Sequence, residues 1–169
     1  MSRWKYNVMF LLLTIVIVGT ACAQTSSPSL ETPPNFKIAF IGDQGLGKDA
    51  EEVLRLIKSE GAQAVLHIGD SDHTNNPAAW DAQINKILGG YFPYFACIGN
   101  HDVKEWNGKS GYQSYLKNRL KRLAIPWDGD LGVKSSVRYK GIFIILVSPG
   151  VWGSDHKVYV KDQLAANKS

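Results

Sequence analysis

Cysteine and long hydrophobic runs are scarce in this chain. Its 169 residues include two cysteines, Cys22 and Cys97. Because Cys22 falls in a leader-like segment, Cys97 has no partner in the rest of the chain, and an intramolecular disulfide is excluded there. Cys97 lies in an apolar run, so we expect it to be a small core residue. The apolar run from Val8 to Val18 is too short to span a bilayer comfortably.

A strong charge of one sign is missing too. The formal net charge is +4, and it falls to +2 when residues 1–24 are set aside, since they contain Arg3 and Lys5 and no acidic residue. So small a charge predicts no nucleic-acid partner. Internal repeats are absent, and residues 36–169 contain no low-complexity tract. We therefore expect one domain over residues 36–169.

Residues 1–23 have the pattern of a secretory signal peptide, in which basic residues precede an apolar run. Two kinds of cleavage fit. Ala21-Cys22-Ala23 has the small-x-small form of an ordinary site, whereas Gly19-Thr20-Ala21-Cys22 resembles a bacterial lipoprotein box without its usual Leu. Either predicts export to the periplasm or the exterior; in the second, a lipid on Cys22 tethers the protein to a membrane. Residues 24–35, rich in Ser, Thr and Pro, predict a flexible linker.

Strand-like and helix-like segments alternate from residue 36 onward, which predicts an α/β fold. The predicted strands cover residues 36–42, 63–69, 93–98, 135–140 and 141–147. The predicted helices cover residues 47–60, 78–89, 111–123 and 157–166. In the first helix, an apolar face is expected to contain Val53, Leu54, Leu56 and Ile57.

Each of the first three predicted strands ends in a glycine followed by polar side chains. The phrases are Gly42-Asp43-Gln44-Gly45, Gly69-Asp70-Ser71-Asp72-His73 and Gly99-Asn100-His101-Asp102. Parallel strands bring their carboxyl ends to one edge of a sheet, and glycine lets the backbone turn sharply there. Carboxylate, amide and imidazole donors from separate loops suit a pair of divalent ions. We therefore predict a two-metal phosphoesterase site, although Asp43 and Asn100, taken singly, also fit turn or N-cap positions.

The three phrases, with the helix and strand between them, resemble the calcineurin-like metallophosphoesterases, and within that family most closely the purple acid phosphatase branch. The resemblance covers about residues 36–166. It implies the N-terminal part of an α/β/β/α sandwich, two divalent or trivalent ions (Fe, Mn or Zn), and a small phosphorylated substrate for a phosphatase or phosphodiesterase. By position, it implies that Asp43 binds the first metal, Asp70 bridges both and Asn100 binds the second. It further implies that His101 protonates the leaving oxygen or steadies the phosphoryl group.

His73 departs from the purple acid phosphatase pattern, where a Tyr ligates iron. Histidine is still a competent ligand for a first-row metal. We therefore expect a site that is not purple and that takes Mn, Zn or Fe(II). His73 is then either a ligand or a polar residue of the loop.

The family's C-terminal metal-binding blocks, with three further histidines and a Gly-His-x-His phrase, have no counterpart here. The chain has four histidines, and two of them stand outside the three phrases: His67 and His156. We expect His67 to be packed within a strand and His156 to be exposed before a helix. The interpretation is a truncated domain over residues 36–169, with an incomplete metal shell, weak or absent catalysis, an uncovered sheet edge and an exposed apolar face.

Two other interpretations use the first loop alone. Gly42 to Asp49 has the spacing of a P-loop, but Asp49 lacks the hydroxyl that magnesium needs, which counts against an NTPase. Gly45-Leu46-Gly47-Lys48-Asp49-Ala50 matches the dinucleotide form Gly-x-Gly-x-x-Ala, with Asp70 in the place of a ribose-binding acid. A nucleotide- or dinucleotide-binding domain therefore stays an alternative, as does a noncatalytic envelope protein on the same fold. The metal interpretation is preferred because it uses all three phrases.

Roles are also expected for residues in and after the three polar phrases. Asp102 is expected to orient His101 or to cap the segment that follows. The basic stretch from Lys117 to Arg122 predicts a solvated helix face. Packing or pocket-wall roles are expected for Trp80, Trp106, Trp127 and Trp152.

Overall fold

The computed structural model describes residues 31–168. The predicted signal peptide over residues 1–23, including Cys22, lies outside the described residues, as does most of the predicted linker. Across residues 31–168, no helix combines the length and the apolar character needed to cross a membrane.

The elements alternate as the sequence predicts. In chain order they are β1 (Ile38–Ile41), α1 (Lys48–Ser59), β2 (Ala64–His67), α2 (Pro77–Ile87), β3 (Tyr94–Ala96), a 3₁₀ turn (Val103–Glu105), α3 (Tyr112–Arg122), β4 (Trp127–Asp130), β5 (Lys134–Tyr139), β6 (Ile142–Val147) and α4 (His156–Ala166). The 3₁₀ turn was not predicted from the sequence, and neither was strand β4. Its residues are Trp-Asp-Gly-Asp, of which the last three disfavour strands, and pairing with β5 overrides that preference.

The strands form two three-stranded sheets, a parallel one in the order β1-β2-β3 and an antiparallel one in the order β4-β5-β6. Successive side chains of a strand point to opposite faces, and this places the layers. Tyr94 packs edge-on against Trp80 of α2, whereas Phe95 packs against Tyr139 of β5. Helix α4 packs on β5 and β6. The predicted α/β class is therefore confirmed, with layers in the order helix, parallel sheet, antiparallel sheet, helix.

The core lies between these layers and holds two of the four tryptophans found within residues 31–168. Trp80 and Trp106 are completely buried, as the packing expectation requires. In α1 the buried residues are Ala50, Leu54 and Ile57, which recur at the helical spacing. Val53 and Leu56 are exposed, so the expected apolar face of α1 was drawn too wide.

The basic stretch in α3 is not a solvated face throughout. Arg119 is completely buried between Leu116 and Leu120, on the side of α3 that faces the core. Its Nη2 donates to Asp81 Oδ1 at 2.7 Å, and Nη1 donates to the carbonyl of Gly89. The expectation was wrong for this residue because its guanidinium finds a buried carboxylate on α2.

His156 is buried too, contrary to the expectation that it is exposed. Its Nε2 lies 2.8 Å from the carbonyl oxygen of Trp152, one turn earlier in the chain. Asp155, directly before it, takes the left-handed conformation and turns the chain into α4. This backbone turn carries the histidine inward, which the local sequence pattern does not show.

One side of the parallel sheet is left uncovered by the residues described. Phe40 pairs in register with Leu66 and then Phe95, so all three share the face directed at the antiparallel sheet. Phe95 is buried there, but 69% of Phe40 and 72% of Ile68 are exposed. Within residues 31–168, β1 has β2 as its one neighbour. The expected exposed apolar face and uncovered edge are therefore both present.

Candidate metal centre

Three loops leave the carboxyl ends of the parallel strands side by side: the first loop (residues 42–47), the second loop (residues 68–76) and the third loop (residues 97–102). Register in the sheet aligns Ile41 with His67 and then Ala96, so the loops start at the same level. Backbone hydrogen bonds then join the first two loops. The amides of Asp43 and Gln44 donate to the carbonyls of Gly69 and Asp70, each at 3.1 Å.

A cluster of metal-binding side chains forms where these loops meet. The ligand atoms of Asp70, His73 and His101 lie within 4.8 Å of one another. His73 Nε2 is also 3.2 Å from Asp43 Oδ1, and the His73 and His101 rings stand 4.5 Å apart between centroids. Of the five residues predicted as the site, four are thus brought together by the fold.

Asn100, the fifth, lies between the buried Gly99 and the exposed His101 in the third loop. Its side chain is exposed and makes no hydrogen bond within residues 31–168. The Asn100 side chain is therefore open to solvent, in the residue that directly precedes His101.

The backbone of the cluster is left-handed at three residues. Asp43, Asp70 and His73 all have positive φ, at 49°, 60° and 57°. Residues other than glycine reach this left-handed region at a cost of about 1 kcal/mol or more, and such residues concentrate at functional sites. In the second loop, Asp72 stabilises the turn that carries His73: its carboxylate accepts from the amides of Thr74 and Asn76. Backbone turns in the first and second loops thus help to bring these side chains together.

Asp102 does not orient His101 and does not cap the next segment, so both expectations for it were wrong. The 3₁₀ turn that follows has no side-chain cap. The Asp102 carboxylate, 1% exposed, instead accepts from the amides of Gly99, Asp70 and Ser71. Burial raises the pKa of Asp102, and the hydrogen bonds from Gly99 and Ser71 partly oppose this. Asp102 is recognisable in the sequence, but two of its three partners, Asp70 and Ser71, lie about 30 residues earlier in the chain.

His67 is packed beneath the second loop, as the sequence analysis expected. Its ring stacks on Tyr94, and Nδ1 accepts from the amide of Gly69 at 3.3 Å. This bond places the ring proton on Nε2, which is buried and has no partner within the described residues. Burial lowers the pKa of His67 to about 4, against the opposing influence of the Asp43 and Asp70 carboxylates. His67 is therefore neutral at pH 7 and is not part of the cluster.

The side chains of the cluster fit a first-row transition metal. Two imidazoles and two carboxylates form a mixed nitrogen and oxygen set, which suits Zn, Mn and Fe better than Ca or Mg. Asp43, His73 and His101 are exposed, so a ligand can reach the cluster from solvent. The arrangement can hold a cation and present it to an anionic substrate.

Comparison with known proteins agrees with this chemistry. A model of the calcineurin-like phosphoesterase family matches residues 36–163, which include all three loops. No curated protein matches the chain.

Proposed function

The chain belongs to the calcineurin-like phosphoesterase family, and we propose that it is a metal-dependent hydrolase of phosphoesters, a phosphatase or phosphodiesterase for a small phosphorylated substrate. The cluster of Asp70, His73 and His101 at the strand ends carries this proposal. A site of two carboxylates and two imidazoles open to solvent has the charge and the donors for a metal ion and a phosphate group.

We assign Asp43, Asp70 and His73 to a first ion, and Asp70 with Asn100 to a second, the ions being Fe, Mn or Zn. The 3.2 Å contact of His73 with Asp43 supports a ligand role for His73. His73 stands where the purple acid phosphatases have a metal-binding Tyr, so it departs from that branch while it keeps a side chain that can bind a metal at the same place. Metal ions bound here would polarise the phosphoryl group and lower the pKa of a water.

His101 is assigned to the substrate rather than to the metal. It is exposed, and its backbone amide donates to Asp70 Oδ1 at 2.9 Å, which holds it at the rim of the cluster. From there an imidazolium can steady the phosphoryl oxygens or hand a proton to the leaving oxygen.

The first experiment tests metal binding and activity together. The purified protein is loaded with Mn²⁺, Zn²⁺ or Fe²⁺, its metal content is measured, and hydrolysis of a chromogenic phosphomonoester and the matching diester is followed. We expect Asp70→Asn to lose bound metal and at least about 10²-fold of the rate. The matched control is Asp130→Asn, since Asp130 accepts from Gln113 outside the cluster. Retention of metal and rate by Asp70→Asn would contradict the assignment.

The second experiment separates the two roles that His101 could take. If His101 acts on the substrate, His101→Asn keeps the metal content of the wild type and loses about 10² to 10⁴-fold in rate. Loss of metal by this variant would make His101 a ligand instead.

The alternatives make different predictions. In the dinucleotide interpretation Asp70 contacts a ribose, but the structure puts it in a cluster with His73 and His101. That interpretation would require a nucleotide to bind without metal. A noncatalytic envelope protein would bind metal and hydrolyse neither ester.

We propose that the protein is exported, either to the periplasm or outside the cell. The basic residues ahead of an apolar run in residues 1–23 support this. The mass of the mature protein distinguishes the two kinds of cleavage, because a lipidated Cys22 would be the first residue and would carry the added lipid. A cytoplasmic protein that retains Met1 would contradict export.

A further inference from the structure

The second and third loops are joined by one buried side chain. Asp102 Oδ2 accepts from the amides of Gly99 at 2.8 Å and Asp70 at 3.1 Å, and Oδ1 accepts from the amide of Ser71 at 2.8 Å. These bonds engage both carboxylate oxygens. Two of the three reach into the second loop, and one closes the third loop on itself.

The loops touch closely at the same place. A Cβ atom on Gly69 would lie 2.9 Å from the Cα of Gly99, and one on Gly99 would lie 2.0 Å from Asp70 Oδ1. The amide of His101 donates to that same Asp70 oxygen. Contacts between the second and third loops therefore set how far Asp70 lies from His101. The three bonds to Asp102 set how the second loop is oriented relative to the third.

We propose that Asp102 is the positioning residue of the metal centre: its carboxylate ties the second loop to the third and so holds Asp70 where it meets His73 and His101. The inference rests on the proposed function, because it concerns the same cluster. Asp102 touches neither metal nor substrate in this role. It acts through the backbone of Asp70 and Ser71.

Asp102→Asn removes one acceptor while keeping the size and shape of the side chain. If the side-chain oxygen of the new asparagine accepts from the Gly99 and Asp70 amides, the side-chain NH₂ group faces the backbone N–H of Ser71. Both groups are donors, so no hydrogen bond can form between them. We expect the second loop to shift and the affinity for Co²⁺, used here as a spectroscopic probe, to fall by about 10 to 100-fold. The visible absorption of bound Co²⁺ should change as well, since it reports the geometry of the ligands.

Asp130→Asn is the matched control, and near-UV circular dichroism with thermal unfolding shows whether each variant is folded. A merely structural role would lower the melting temperature of Asp102→Asn but leave the Co²⁺ spectrum and affinity of the folded protein unchanged, and this result would overturn the inference. If the wild type itself binds no Co²⁺, the proposed function fails. If the wild type binds Co²⁺ and Asp102→Asn binds it with the same affinity and spectrum, only the positioning role of Asp102 is contradicted.

Amide exchange in the wild type tests the same bonds if Asp102→Asn does not fold. The amides of Asp70, Ser71 and Gly99 should exchange at least about tenfold more slowly than the amide of Asn100, which donates no hydrogen bond within residues 31–168. Equal exchange rates would overturn the proposal. In a folded Asp102→Asn variant, the Ser71 amide should be the one whose exchange accelerates most.

Discussion

Gly99→Ala is the change whose effect the structure defines most sharply. The added Cβ would lie 2.0 Å from Asp70 Oδ1 and 2.1 Å from the Asp70 backbone nitrogen, whereas real Cβ contacts stay beyond 3.0 Å. Gly99 has no positive φ, so alanine brings no backbone strain of its own. The effect of the substitution is therefore steric, and it falls on a predicted metal ligand.

The distance by which Asp70 must move determines how much stability and activity Gly99→Ala should lose. The Cβ falls short of an allowed distance by about 1 Å, and a rotation of the Asp70 side chain relieves only the contact with Oδ1. The contact with the backbone nitrogen needs a movement of the second loop. Such overpacking destabilises a fold by about 1 to 3 kcal/mol. A misplacement of about 1 Å at a reacting site lowers the rate about 10²-fold.

The assay combines thermal unfolding with Co²⁺ titration and ester hydrolysis. Gly90→Ala is the control, because its Cβ would meet only Asn85 Oδ1, at an ordinary 3.7 Å. We expect Gly99→Ala to melt several degrees lower and to bind Co²⁺ at least about tenfold more weakly, while Gly90→Ala keeps wild-type affinity. Wild-type affinity and melting temperature in Gly99→Ala would refute the close approach of the two loops.

The other predictions concern stability and self-association. Arg119→Met leaves Asp81 buried without its cation and should reduce the free energy of unfolding, measured by denaturant titration, by about 3 to 5 kcal/mol. Adding Asp81→Asn should recover part of this loss. If the single variant loses no stability, the role of the pair is contradicted. Burial lowers the pKa of His67 from 6.5 to about 4. Above pH 6.5 the ring is neutral in the folded and the unfolded chain, but as the pH falls toward 4 the unfolded chain binds a proton that the folded chain does not. The fold therefore loses roughly 3 kcal/mol of stability over this range. His67→Gln should flatten that pH dependence, and an unchanged slope would show that other groups cause it. Phe40→Thr with Ile68→Thr should reduce self-association in sedimentation experiments, because both side chains are exposed apolar groups. The free energy of unfolding should change by about 0.5 kcal/mol or less for each residue. Unchanged association would show that a different surface mediates it.

The order of strands and helices could be predicted from local pattern alone, because a period of two or of 3.6 is written in consecutive residues. The three parallel strands and the polar phrases behind them follow from this. The same reasoning failed where tertiary contacts override local preference. Strand β4 forms from residues with low strand propensity because β5 supplies its hydrogen bonds, and Arg119 is buried because Asp81 lies opposite it.

What the amino-acid sequence determined by itself is the chemistry of the site: which side chains follow the strands, and that they are carboxylates, imidazoles and an amide. Only the tertiary structure decided their arrangement. The contact of His73 with Asp43, and the bonds from the Asp70 and Ser71 amides to Asp102, join residues about 30 positions apart. Such contacts depend on the register of β1, β2 and β3, and register is set by pairing between strands rather than by any one stretch of chain.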